Sequence, residues 1–250
     1  MNKVEFGISH LYVGVFDEDS AGNISMGKPD AIPGAVSLTL DAETNETKFY
    51  ADNTVYWSDF TDNGFSGEVN VALFPESFKL KYLGYERLSD GGIAQVKNAV
   101  KPKAYLMFQA EGDEAARKVI MYNIAFGAIS REHNTVNENK EVDTETVPIT
   151  VTGSNSTGIT RASYANTASG YANLFTNPPA PARLTEVTKS FTGDGSTKTF
   201  DLTIEPVQIK SVKVDGLYED DYTISSDEIT FTTAPANNAT IVVTFTKASA

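Results

Sequence analysis

The chain has 250 residues, 40% hydrophobic and 21% charged, which suits one large domain or two modest ones with ordinary globular cores. Its net charge of −13 is shared, −8 over residues 1–184 and −5 over 185–250, so neither part reads as a surface that grips phosphate. No cysteine and only two distant histidines, His10 and His133, exclude disulfides and thiolate chemistry and leave little for a zinc site or a histidine-based triad.

In chain order, the N-terminal run MNKVEFGISHLYVGVF lacks the build of a signal peptide, and no stretch approaches the roughly 20 apolar residues of a membrane helix. The expectation is synthesis in the cytoplasm and no membrane insertion. VSLTL (36–40) and EVNVAL (68–73) alternate apolar and polar residues and predict half-buried strands; KFYA (48–51) does so less cleanly. Residues 75–83 predict a helix: Pro75 suits its first turn, Phe78, Tyr82 and Leu83 share a face, and Gly84 can end it. AYLMFQ (104–109) and KVIMYNI (118–124) flank a polar connection and predict a hairpin with Gly112 in its loop. Residues 147–152 predict another strand, and residues 168–175 a weaker second helix.

TNPPAPAR (176–183) changes the composition. Three prolines in four residues predict a stiff, extended spacer. Beyond it, SFTGDGSTKTF (190–200) predicts two strands around a Gly-Asp-Gly hairpin turn, and four further short strands follow between residues 209 and 246. That spacing predicts a small all-β sandwich. The domains expected are therefore 1–176, a linker at 177–184, and 185–250.

Candidate chemistries fare poorly. The Gly193-Asp194-Gly195 turn lacks the Lys-Ser/Thr ending of a phosphate loop and sets a carboxylate where phosphate would sit. The acidic triplets at 17–19 and 219–221 lack the alternate-position ligands of a calcium loop and read as solvated loops. No local pattern selects a carboxylate pair for glycoside hydrolysis. His10 reads as a packing or hydrogen-bonded residue and His133 as part of a polar loop. No catalytic residue, metal or cofactor is expected.

The aromatics are more informative. Tyr50, Tyr56, Trp57, Phe60 and Phe65 fall within sixteen residues that also hold turn formers such as Asp52, Asn53, Asp59 and Asp62. They fit either a core hairpin with inward rings or a long hairpin carrying exposed rings into a partner, where Tyr and Trp are enriched. The residues alone leave both open. On the second reading, Asp52, Asn53, Tyr56, Trp57, Phe60 and Phe65 are the candidate inter-subunit contacts.

Several pieces occur together in order: IPGAVSLTL (32–40), FYADN (49–53), NGFSG (63–67), EVNVALFP (68–75), AYLMFQAEGD (104–113) and RKVIMYN (117–123). The series, spanning about residues 1–180, resembles the major tail proteins of long, non-contractile bacteriophage tails. The resemblance implies a mainly β fold, a two-sheet antiparallel sandwich with a flanking helix, followed here by an appended Ig-like β-sandwich decoration module. It implies a homo-oligomer of hexameric rings, stacked through a long loop and chain termini into a virion tail tube. Other tail proteins would bind the tube ends, and genomic DNA would pass through an electronegative lumen without specific binding. The C-terminal module would be free to meet a host cell-surface glycan. Two other classes fit parts of the chain: a carbohydrate-binding β-sandwich surface protein, and a glycan hydrolase. A tube from a phage-derived bacteriocin or contractile tail fits as well.

Overall fold

The computed structural model describes residues 7–133 and 142–247. Among the described residues the chain is mainly β, with antiparallel sheets and one short helix, as expected. It divides into two compact units, Met1–Pro181 and Ala182–Ala250.

The first unit holds β1 (Ile8–Glu18), β2 (Ile24–Met26), β3 (Asp30–Ala31), β4 (Ala35–Ala51), β5 (Thr54–Val71), α1 (Glu76–Tyr82), β6 (Tyr85–Arg87), β7 (Ile93–Gln95), β8 (Ala104–Ala110), β9 (Lys118–Phe126), β10 (Ser130–Arg131), β11 (Glu145–Val151) and β12 (Arg161–Tyr164). Ten of the strands form one antiparallel sheet whose main path is β2-β1-β8-β9-β11-β5-β4, and β6 and β7 pair only with each other. The sheet curls enough that Ile8 of β1 and Leu38 and Leu40 of β4, which share no ladder, join one core. Phe74, Phe78, Tyr82 and Leu83 from α1 and its flanks complete that core.

β8 and β9 are buried on both faces. Ala104, Leu106 and Phe108 point into the main core, whereas Tyr105 and Met107 join a second cluster with Ile120, Tyr122 and Leu174. Asn123, at φ 54°, adds one residue to β9 opposite β8, so Met121 and Ile124 both face the main core. Its amide donates to the Gly153 carbonyl at 2.7 Å, which holds the bulge in place.

The helix expected at 75–83 is present, entered at Pro75. Its start is tied down by Glu145, 2% exposed, which accepts from the Phe74 amide at 2.8 Å and from Lys79 Nζ at 2.9 Å. The weaker helix expected at 168–175 is absent. Successive i→i+3 turns take its place, with Tyr171 N donating to the Ala168 carbonyl and Leu174 N to that of Tyr171. Gly170 disfavours a continuous helix there, and the turns bury Leu174 against the second cluster. The start of the proline run lies on this unit, since Pro178 is buried and the Tyr122 hydroxyl donates to the Pro179 carbonyl at 3.2 Å.

The second unit contains β13 (Thr185–Thr192), β14 (Thr199–Asp201), β15 (Gln208–Val214), β16 (Leu217–Tyr218), β17 (Tyr222–Ser225), β18 (Glu228–Phe231) and β19 (Thr240–Lys247). They form a four-stranded sheet, β13-β19-β15-β16, and a three-stranded sheet, β14-β18-β17. Leu202, Val212, Ile229, Phe231, Ile241, Val243 and Phe245 fill the core. The Gly-Asp-Gly turn is not a hairpin, because β13 and β14 belong to different sheets. Asp194 closes the turn by accepting from the backbone of Ser196 and Thr197. Those bonds, with the Thr197 hydroxyl the strongest, hold its carboxyl well below the usual range. Gly193 lets the chain pass a carbonyl that a Cβ would meet at 2.4 Å, that of Ala236.

Candidate functional site

β4 and β5 stay paired from Ala35↔Val71 to Ala51↔Thr54, but the third strand, β11, follows β5 only as far as Val151↔Phe65. Beyond that point the two strands leave the sheet as a hairpin arm. At a strand rise near 3.3 Å per residue, the stretch from Ala42 to Ala51 extends about 30 Å. The sequence reads VSLTL and KFYA as separate strands; here they are one strand whose apolar alternation lapses where it quits the core.

Local chemistry builds both ends of the arm. At the root, the Asp62 carboxylate accepts from the Gly64 amide at 2.9 Å, and the register shifts between Ala42 and Thr44. Gly64 sits at φ 96°, where a Cβ would lie 2.0 Å from the Val151 carbonyl oxygen, so only glycine lets β5 pass β11 here. At the tip, Asp52 and Asn53 both have positive φ, 50° and 60°, as a two-residue type I′ turn demands.

Residues 41–50 and 52–63 are exposed throughout. Phe49 pairs with Trp57 and Tyr50 with Val55, so Tyr56 is an extra, bulged residue. The Tyr56 ring meets the Phe49 ring edge-on at 6.4 Å, which puts Phe49, Tyr56 and Trp57 on one face. Tyr50 and Val55 occupy the other, as do the neighbouring pairs Lys48↔Ser58 and Glu46↔Phe60. Tyr56 is 74% exposed and Phe60 66%. Both faces are thus apolar and wet. Residues 41–62 also carry six acidic side chains against one lysine, Lys48, which bridges Glu46 at 2.7 Å.

Of the candidate contact residues, Asp52 and Asn53 form the tip, and Tyr56, Trp57 and Phe60 line the arm. Phe65 lies elsewhere, partly buried against the main core at the root, with Arg161 over its ring. Phe49, Tyr50 and Val55 belong with the exposed group. Their signal lies in the sequence: the adjacent aromatics Phe49-Tyr50 put rings on both faces of a strand, which one-sided burial cannot accommodate.

Other singled-out residues have structural partners. In the first acidic triplet, Glu18 accepts from the Asn155 and Ser156 amides, and Asp19 from those of Ala21 and Asn23. The His10 ring stacks on Phe175 at 6.0 Å, and His133 lies 3.9 Å from Asp143. Among the described residues no helix is long and apolar enough to cross a membrane.

No family model and no curated protein matches this chain. Solved structures do, among them a chain of the six-fold symmetrised cryo-EM structure of the anti-feeding prophage baseplate. That match covers 64% of this chain and 96% of the other, at 8% identity and a TM-score of 0.30. A likeness of that size carries no argument about function.

Proposed function

We propose that this chain is a structural subunit of a bacteriophage tail, and more narrowly the major tail-tube protein of a long, non-contractile tail. The observation that carries the reading is the arm. A two-stranded hairpin is marginal in water by itself, and this one exposes large apolar side chains on both faces. A partner that covers it relieves both costs. The ordered motif series across residues 1–180 points to the same family.

On this reading, subunits form hexameric rings that stack head-to-tail, a contact that does not close and so yields a tube. Free sheet edges such as that of β4 pair with neighbours in place of aggregating. The acidic balance keeps a DNA-conducting lumen from holding phosphate. The protein is made in the host cytoplasm, resides in the virion tail with other tail proteins at the tube ends, and performs no catalysis. Residues 182–250 decorate the outside, where many copies would multiply even weak affinity for a host glycan.

The test is negative-stain electron microscopy of the purified full chain at rising concentration. Rings or tubes of uniform width are expected. A chain that stays monomeric at every concentration overturns the reading. A truncation ending at Ala182 is expected to give thinner tubes of unchanged axial repeat, and loss of all assembly would move the second unit into the tube wall.

A further inference from the structure

We propose that the cleft around Asn123, at one end of the curled sheet, binds a small, neutral, polyhydroxylated ligand: a sugar ring. The inference concerns a single chain and does not depend on the subunit reading.

The cleft measures about 500 Å³ and lies where β1, β8, β9 and β11 come together. β1 ends there with Asp17 and Glu18, Lys103 leads into β8, the β9 bulge contributes Asn123, and Asn155 follows β11. Such a volume is within the ~300–1,000 Å³ of small-ligand pockets, and barrel-like sheets hold them at their mouths.

Asn123 sets this cleft apart from a surface dip. It is 6% exposed and stands at φ 54°, a left-handed conformation that non-glycine residues seldom adopt. Bulges of this kind re-aim side chains beside functional sites. Nδ2 donates to the Gly153 carbonyl at 2.7 Å, which decides the orientation of the amide. Oδ1 has no donor among the described residues. Unlike Asn70 Oδ1 it is not sealed in protein, so it opens on the cleft that Asn123 lines. Any ligand that displaces water from this oxygen must bring a donor of its own.

Glu18 is held in place as well. Its carboxylate accepts from the Asn155 and Ser156 amides at 2.8 and 2.6 Å and from the Ser154 hydroxyl at 3.2 Å. Burial raises this carboxyl, but the hydrogen bonds outweigh it and hold the group below its ordinary value.

The groups left free decide the ligand class. Asp17 and Lys103 are exposed, and neither side chain makes a hydrogen bond or ion pair among the described residues. The lining thus offers acceptors in Asn123 Oδ1 and two carboxylates, and a donor in Lys103. A divalent cation would face the lysine ammonium, and no group of three acidic or histidine side chains among the described residues could hold one. An anion would face both carboxylates, and an apolar ligand would strand Asn123 Oδ1. Neighbouring hydroxyls each donate and accept, and so answer every one of these groups.

The test is titration of the full chain with D-glucose, D-galactose, D-mannose and N-acetyl-D-glucosamine, read by saturation-transfer NMR and calorimetry. At least one is expected to bind with a Kd of roughly 1 mM. Asp17→Ala and Lys103→Ala, both at exposed positions, should each weaken that sugar about tenfold with the melting temperature unchanged. Asn123→Gly, which keeps the left-handed backbone, should abolish binding. Tighter binding of the matching trisaccharide would mark a glycan chain as the source, and equal or weaker binding a free sugar. Absence of any binding tighter than ~10 mM overturns the proposal. So does a sugar whose affinity is unchanged in both surface variants, because it then sits elsewhere. A melting temperature raised by calcium ions but by none of the sugars would make this a cation site and overturn it too.

Discussion

The β8–β9 and β4–β5 pairs are both antiparallel, both rich in aromatic and aliphatic residues, and opposite in fate. β8–β9 lies at the centre of its sheet with rings buried on both faces, Tyr105 and Tyr122 at 0% and 1% exposure. The distal half of β4–β5 leaves the sheet with rings wet on both faces. Both carry aromatic rings, but β8 and β9 are almost wholly apolar whereas residues 41–62 carry six acidic side chains, and the two pairs differ in the number of neighbouring strands. β8 and β9 have partners on each side and layers above and below, whereas among the described residues the arm strands beyond Phe65 pair only with each other. One pair is buried in the folded unit, and the other leaves its apolar side chains exposed.

Mutations should separate the two. The largest expected effect is in the buried pair: Leu106→Ala should cost about 2–5 kcal/mol and lower the melting temperature by roughly 10 °C, read by calorimetry. A loss near zero would mean that this pair is not the stability centre. Next comes Glu145→Ala, which leaves the Phe74 amide and Lys79 without their buried carboxylate; about 3 kcal/mol should be lost, read by urea unfolding. Its loss should loosen the α1 side of the core and leave the arm untouched.

A smaller effect concerns pH. Burial raises the Asp30 carboxyl, but hydrogen bonds from Lys81 and Tyr82 outweigh it and hold the group below its ordinary value. A depressed folded pKa means that the stabilisation is complete above the unfolded value of about 3.9 and is lost as pH falls through the folded pKa. Melting temperatures from pH 5 downward should therefore fall less steeply in Asp30→Asn than in the wild type. An unchanged slope would remove Asp30 from the balance. The smallest effect on stability, and the largest contrast with Leu106→Ala, is expected from Trp57→Ala. Stability should shift by no more than about 0.5 kcal/mol, while rings or tubes seen by electron microscopy are lost. A large drop in melting temperature with assembly intact would make Trp57 a core residue and erase the comparison.

Much of this was legible in the residues. Alternation at 36–40 and 68–73 placed strands that the structure contains, because period two is a property of the strand itself, and the apolar runs at 104–109 and 118–124 placed two more through the polar connection between them. Pro75, Phe78 and Tyr82 announced α1 through local capping and spacing. The turn at 168–175 misled, since its apolar spacing fits a helix while Gly170 and the need to bury Leu174 favour turns. The Gly193–Gly195 turn misled differently: its backbone chemistry was right, but whether a turn returns a chain to its own sheet or sends it across a core depends on partners more than thirty residues away.

The sequence by itself determined that the chain is β-rich, acidic, free of cysteine and turned at Asp52-Asn53, because these follow from composition and from the φ preferences of single residues. It also held the adjacent rings Phe49-Tyr50, which forbid one-sided burial. Only the tertiary structure decided that the rings of residues 49–60 face water on both sides while those of residues 105–122 face protein on both sides. Burial is a property of the surroundings, and the surroundings of β5 end where β11 stops pairing with it, at Phe65.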